Sequence, residues 1–517
     1  MRALYRGLVG LGLMIGVVGT LQAAAPEATV QSGRLGGVRQ GAVEAFLGIP
    51  FAAPPTGANR WRAPQPVAVW QGVRPAVNFA ANCWQPQTPG GFGPWTHEYV
   101  ISGPVSEDCL YLNVWTPEHR KGPLPVMVWI HGGGFTGGSG SVPLYDGARL
   151  AARGIIVVTI NYRLGVFGFL AHPELTREAR TAGTPPGNYA LQDQVAALQW
   201  VRTNIAAFGG NPAAVTIAGQ SAGAMSVHAL IASPLASGLF RGAIAESGLM
   251  TTLPLQPLAT AEHDGATFAA SLKAPSLAAL RVLPPDAFAT TGPGMLRFSP
   301  ITDGVLITGP TPAALNDTPL LTGMNTNDPG SFGPAPAPSA DAVSRMLQDS
   351  YGPLAARFAP LYPAANAEEQ AAALRDIARD RGLGALYAFS RQRLARSHKP
   401  LYLYLFSHTE PGPQSALYGA FHSAELAYVF DTLDKAPERG FTAQDRDLAR
   451  IVSSYWLSFV RDGKLSAKDE PAWPQARGDA PKIMQLDVPP RVRHILPADT
   501  LGAMQAYLAT GATPRLF

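Results

Sequence analysis

Short runs of consecutive apolar residues alternate along the chain with stretches in which apolar residues return every three or four positions. PVMVWI (125–130) and GIIVVTINY (154–162) are fully apolar over most of their length, which predicts strands of a buried parallel sheet. From Asn188, residues Leu191, Val195, Leu198, Val201 and Ile205 fall at helical spacing, and Gly209, Gly210 and Pro212 predict its end. The strand AVTIAG follows, then GAIAESG, ending at Ser247 and Gly248. Residues 125–248 therefore read strand, helix, strand, helix, strand, the order of an α/β fold.

Between Leu253 and Pro300 the chain is rich in Ala, Pro and Leu with weak helical periodicity. This predicts a helical insertion over the sheet, and further cap segments are expected around 335–395. PLLTGMN and LYLYLF (401–406) are strand-like, and Leu448, Ile451, Val452, Tyr455, Trp456 and Phe459 mark a late amphipathic helix. No internal repeat interrupts this pattern, so 26–517 is expected to form one domain.

Composition narrows the partners. The 517 residues are 46% hydrophobic and 15% charged, which suits a large core. A net charge of +4 without any long Lys/Arg run gives no grip on a nucleic acid. Arg2 and Arg6 precede an apolar stretch, Gly7 to Leu21, and Ala23, Ala24 and Ala25 follow. That is the pattern of a signal peptide (1–25) cleaved near 23–25, with export to the periplasm or medium and no stable membrane association afterwards. The apolar run falls short of the roughly 20 residues of a comfortable span. The two cysteines, Cys83 and Cys109, are either one bridge formed in an oxidising compartment or two buried thiols.

Two glycine-rich segments carry candidate chemistry. GQSAG (219–223) lies between the strand AVTIAG and a helix expected from Ala222. A sharp strand-to-helix turn would project the hydroxyl of Ser221, and glycines flank it because a Cβ there would clash. A serine needs a base and donors for the developing oxyanion. HGGGF (131–135) directly follows PVMVWI, and the N–H groups of Gly133 and Gly134, with that of Ala222, are the candidate donors. The same loop lacks the GK[ST] ending of a phosphate cradle. No HExxH or paired Cys cluster occurs, so neither metal nor cofactor is expected.

These motifs, with GIPFAAPP (48–55), SEDCLYLNVWTP (106–117), NYRLGVFGFL (161–170), FSPITDG (298–304), GAFHSAELAYVF (419–430) and YWLSFVRDGKLS near 455, resemble the type B carboxylesterases. That family includes cholinesterases and bacterial para-nitrobenzyl esterases. The resemblance implies an α/β-hydrolase fold: a large, mostly parallel central sheet flanked by helices, with helical insertions over its C-terminal edge. It makes His422 the base, and position agrees, since His422 follows the strand LYLYLF through a loop in the chain order nucleophile, acid, histidine; His408, at the end of that strand, is the runner-up. The position of the family's acid, five residues after a glycine, falls on Asp328, where the family usually has Glu followed by Gly and this chain has Asp followed by Pro329. Asp303 is the weaker candidate. Gln220 stands where the family usually has Glu. Cys83 and Cys109 match the family's first disulfide, and Trp84, Phe92, Trp95 and Tyr99 on or beside that loop either line a substrate pocket or simply pack.

The activity implied is hydrolysis of small-molecule carboxylic esters through an acyl-enzyme on Ser221. A non-catalytic adhesion relative, or an acyltransferase or amidase using the same intermediate, is the alternative. Natural substrate and oligomeric state are not written in these motifs.

Overall fold

The computed structural model describes residues 25–250, 255–289, 298–309, 316–333, 337–412 and 414–516. The expected signal peptide therefore lies outside the described residues, except for Ala25, as do parts of the expected 253–300 insertion.

The apolar runs form the centre of an eleven-stranded sheet. In chain order its strands are β1 (Val38–Gln40), β2 (Val43–Pro50), β3 (Tyr111–Pro117), β4 (Leu124–Ile130) and β5 (Ile156–Ile160). They continue with β6 (Gly210–Gln220), β7 (Gly242–Glu246), β8 (Leu320–Asn325), β9 (Leu401–Phe406), β10 (Lys482–Leu486) and β11 (Arg491–His494). The spatial order is β11-β10-β9-β8-β7-β6-β4-β5-β3-β2-β1. Every pairing from β10 to β5 is parallel, and the strands beyond, at both edges, pair antiparallel.

Successive side chains of a strand face opposite ways, so a fully apolar strand must feed two cores. In β4, Val126, Val128 and Ile130 enter one core and Met127 and Trp129 the other. The helices Tyr189–Asn204 and Ala222–Ala232 cover the first face through Leu191, Leu198, Val227 and Leu230. The late helix, Ala443–Asp462, covers the second through Leu448, Val452, Trp456 and Phe459. In the 253–300 stretch the described helices are Leu258–Ser271 and Leu277–Val282, and the 335–395 stretch holds Ala340–Tyr351 and the long helix Ala367–Leu394.

Gly210 departs slightly from the pattern expected of it, while Gly209 ends the helical stretch as expected. Gly209 closes a 3-10 turn in left-handed conformation, but Gly210 already begins β6. The strand starts earlier than its apolar core suggests because Gly210 pairs with Leu124 across an irregularity in the ladder.

Cys83 and Cys109 are bridged, with Cα atoms 4.9 Å apart. Closing a loop of 26 residues' separation should stabilise the fold by roughly 3 kcal/mol. Replacing both cysteines by serine is expected to lower the urea midpoint accordingly, and an unchanged midpoint would show that the loop is held by its packing alone.

The chain runs from β4 outward to β5 and then returns across β4 to β6. The loops leaving β4 and β6 therefore diverge, which opens a crevice at the carboxyl ends of the parallel strands. The site residues expected from sequence all lie on connections leaving that edge.

Candidate active site

Ser221 sits between the end of β6 and the helix Ala222–Ala232, at φ 59° and ψ −123°. This is a region L-residues rarely enter, and the surrounding structure must hold it there. Its N–H donates to the Glu246 carbonyl (2.8 Å), and its own carbonyl accepts from Met225 N–H (3.0 Å). The flanking glycines leave no room for substitution. A Cβ on Gly223 would meet the Ile130 carbonyl oxygen at 2.0 Å, and one on Gly219 would meet the Gly223 backbone at 2.7 Å. Strand β4 and the turn thus press together, and only bare backbone fits between them.

The same closeness brings the HGGG loop to the serine. A Cβ on Gly132 would lie 3.0 Å from the Ser221 Cβ. Gly133 and Gly134 follow at φ 109° and 61°, and the Gly133 carbonyl accepts from Thr136 and Gly137 N–H, both at 3.0 Å. The N–H groups of Gly133, Gly134 and Ala222 make no hydrogen bond among the described residues, so they remain available to a ligand oxygen. His131 anchors the loop from below. Its ring stacks on Tyr162 at 4.3 Å and burial pushes it down to about 4, so it is neutral at ordinary pH.

His422 follows β9 through a long loop and is 2% exposed. Its Nδ1 lies 2.8 Å from Asp328 Oδ1, and its N–H donates to the Ser331 hydroxyl at 2.8 Å. On the other side of the ring, Nε2 is 3.2 Å from the amide nitrogen of Gln220, the residue before Ser221. The shorter acid reaches because two loops are stitched together. Asn327 N–H donates to the Ala420 carbonyl, Asn327 Nδ2 to that of Tyr418 and Asn325 Nδ2 to that of Phe421. Asp328 Oδ2 accepts from Asn325 N–H at 2.9 Å, which leaves Oδ1 for the imidazole.

The rival residues are occupied elsewhere. His408 Nε2 pairs with Asp445 Oδ1 (2.7 Å) at the capping box of the late helix. Asp303 accepts from three backbone N–H groups of residues 305–307 and from Asn188 Nδ2. Of the aromatic residues, Trp95 lies beside His422 at 6.4 Å between ring centres and donates to Ser423 Oγ. Phe92 stacks further out on Trp95 at 5.0 Å. Trp84 instead packs on Phe167, and Tyr99 on Phe421 with its hydroxyl on Glu410.

Sequence reasoning missed Phe332, whose ring stands 5.0 Å from that of His422 and 5.5 Å from that of Trp95. It also missed the contact of Gln220 with His422 and the buried carboxyls behind the pair. Glu425, three residues after His422, accepts from Asn325 Nδ2 at 2.5 Å. Burial, then the neighbouring Glu246 and Asp328, push it well above the usual carboxylate range. Glu246 accepts from Trp456 Nε1 (2.7 Å), and burial pushes it up to about 8.

Glu246 yields a pH prediction. Its pKa rises from about 4.5 to about 8 on folding. The unfolded chain ionises first, so native stability falls as pH climbs between those values and no further above them. Glu246→Gln stays neutral and should relieve a penalty on the order of 1–3 kcal/mol at pH 8. Urea denaturation at pH 5 and pH 8 checks it: an equal fall in both proteins would show that Glu246 is not the source.

A parallel sheet carrying a serine at a strained strand-to-helix turn, with a glycine loop and a His–Asp pair at its carboxyl edge, defines an α/β-hydrolase-fold protein. Residues 24–503 match the model of the carboxylesterase family. The chain is 36% identical over 468 residues to a fumonisin B1 esterase of Sphingopyxis macrogoltabida, covering 86% of this chain and 83% of that one. It is also 36% identical over 488 residues to the para-nitrobenzyl esterase of Bacillus subtilis (strain 168), covering 89% and 94%. A solved PNB esterase structure superposes with a TM-score of 0.72 at 32% identity, covering 93% of this chain and all of that one. The chain belongs to the carboxylesterase family and is a carboxylic ester hydrolase. Among its described residues no helix is long and apolar enough to cross a membrane.

Proposed function

We propose that this esterase works through an acyl-enzyme on Ser221, with His422 as base and acid and Asp328 as its orienting partner. The ester carbonyl oxygen sits among the N–H groups of Gly133, Gly134 and Ala222. His422 takes the hydroxyl proton as Ser221 attacks, and returns it to the departing alkoxide as the tetrahedral intermediate collapses. Water then repeats the sequence on the acyl-enzyme, and the acid leaves. Asp328 stays ionised throughout and stabilises the imidazolium. The observation that carries this reading is the Gln220–His422 contact at 3.2 Å, because it brings the imidazole against the very turn that holds Ser221.

The substrate is a small-molecule ester with an apolar group that rests on Phe332 and Trp95, the rings flanking His422. Phe332 is 60% exposed, as a wall facing an open site would be. Residues 26–517 act as one catalytic domain under a helical cap. The apolar leader and the Cys83–Cys109 bridge support export to the periplasm or medium.

Fluorophosphonate labelling tests the nucleophile. A single adduct on the peptide holding Ser221 is expected from the folded protein, and a folded protein that takes no adduct, or takes it elsewhere, would end this assignment.

A further inference from the structure

We propose that His97, Glu98 and Glu438 form a divalent-metal site, suited to Zn2+, at the rim of the molecule and apart from the ester-cleaving residues. The three side chains offer His97 Nδ1 and one carboxylate oxygen each from Glu98 and Glu438, all within 4.8 Å of one another. His97 Nδ1 is 3.5 Å from Glu98 Oε2 and 3.2 Å from Glu438 Oε1. A tetrahedral ion with bonds of about 2.0–2.1 Å sets its ligand atoms roughly 3.3–3.4 Å apart. Two of the three separations already bracket that value, and the exposed Glu438 can rotate to adjust the third.

The buried ligand argues for an ion rather than for a chance gathering of surface charge. The Glu98 side chain is fully buried, yet only Oε1 is engaged, by Thr96 Oγ1 at 2.8 Å and Arg439 Nε at 2.5 Å. Oε2 has no hydrogen-bond partner among the described residues and faces His97 Nδ1 at 3.5 Å. A buried carboxylate oxygen without a partner is costly, and a bound cation would satisfy it. Arg439 opposes a second cation nearby, but Glu410 also faces it at 3.5 Å and offsets part of its charge.

The ligand set decides between metals. Ca2+ and Mg2+ seek all-oxygen shells with six or more ligands, whereas one imidazole with two carboxylates and a water suits Zn2+. The ion would tie the segment holding Trp95, which packs beside His422, to the turn at 437–439.

Calorimetric titration of the chelator-treated full chain with ZnCl2 tests the site. One ion per chain is expected, with Mg2+ giving no saturable heat. His97→Ala and Glu438→Gln, both at exposed positions, should each weaken binding by at least about tenfold without altering the circular dichroism. Co2+ should give the visible absorption of a four-coordinate ion, and the same variants should abolish it. No saturable Zn2+ binding by the unaltered chain, or equal binding by both variants, would overturn the proposal; the second result would place the ion at other histidines.

Discussion

Ser221→Ala is expected to lower kcat/KM on a reactive ester by about 10⁵ to 10⁶-fold while leaving the thermal midpoint almost unchanged. The loss is large because the serine, its base and the oxyanion donors act as a unit, so removing the nucleophile also idles His422. Alanine adds no strain beyond what serine already bears at φ 59°, and the stability change should stay within about 0.5 kcal/mol. The residual rate should come from the glycine loop and substrate binding acting on water. KM should therefore change far less than kcat. A variant that keeps a tenth of the parent rate would remove Ser221 from the chemistry, whatever its position in the turn.

The elbow was legible in the chain because its chemistry is local. Gly219 and Gly223 flank the serine within five residues, and the strand and helix they join have clear periods. The separations of 2.0 and 2.7 Å that exclude a Cβ at these positions are the physical form of that motif. The central strands were legible for a related reason: buried on both faces, they are apolar over most of their length, and single polar residues such as Thr159 of β5 and Thr216 of β6 do not blur the pattern. His422 and Asp328 needed resemblance, since nothing in their spacing shows that loops leaving β8 and β9 are stitched together through Asn325 and Asn327. The contacts of Gln220 and Phe332 with His422 escaped notice because each residue reaches it only through the close approach of separate loops. Glu246 and Glu425 were silent because a buried carboxyl and a surface one look alike in a sequence.

Asp328→Asn is expected to lower kcat by about 10⁴-fold, and the hydrogen bonds around Asp328 supply the reason. Its Oδ2 accepts from the backbone N–H of Asn325 at 2.9 Å, so an asparagine must keep its amide oxygen there. That turns the amide NH2 towards His422 Nδ1, where the carboxylate now accepts at 2.8 Å. Two donors cannot share one contact. The imidazole proton must move to Nε2, and a ring protonated there cannot take the proton of Ser221. Asp328→Glu keeps an acceptor and hence the working tautomer, but crowds a methylene into a position with no exposed surface, at about 1–3 kcal/mol of stability. The two variants should therefore separate: asparagine far less active but nearly as stable, glutamate less stable but far more active than asparagine. Single-turnover acylation rates and thermal midpoints measure both quantities. An asparagine variant within tenfold of the parent would mean that Asp328 neither sets the tautomer nor steadies the charge on His422.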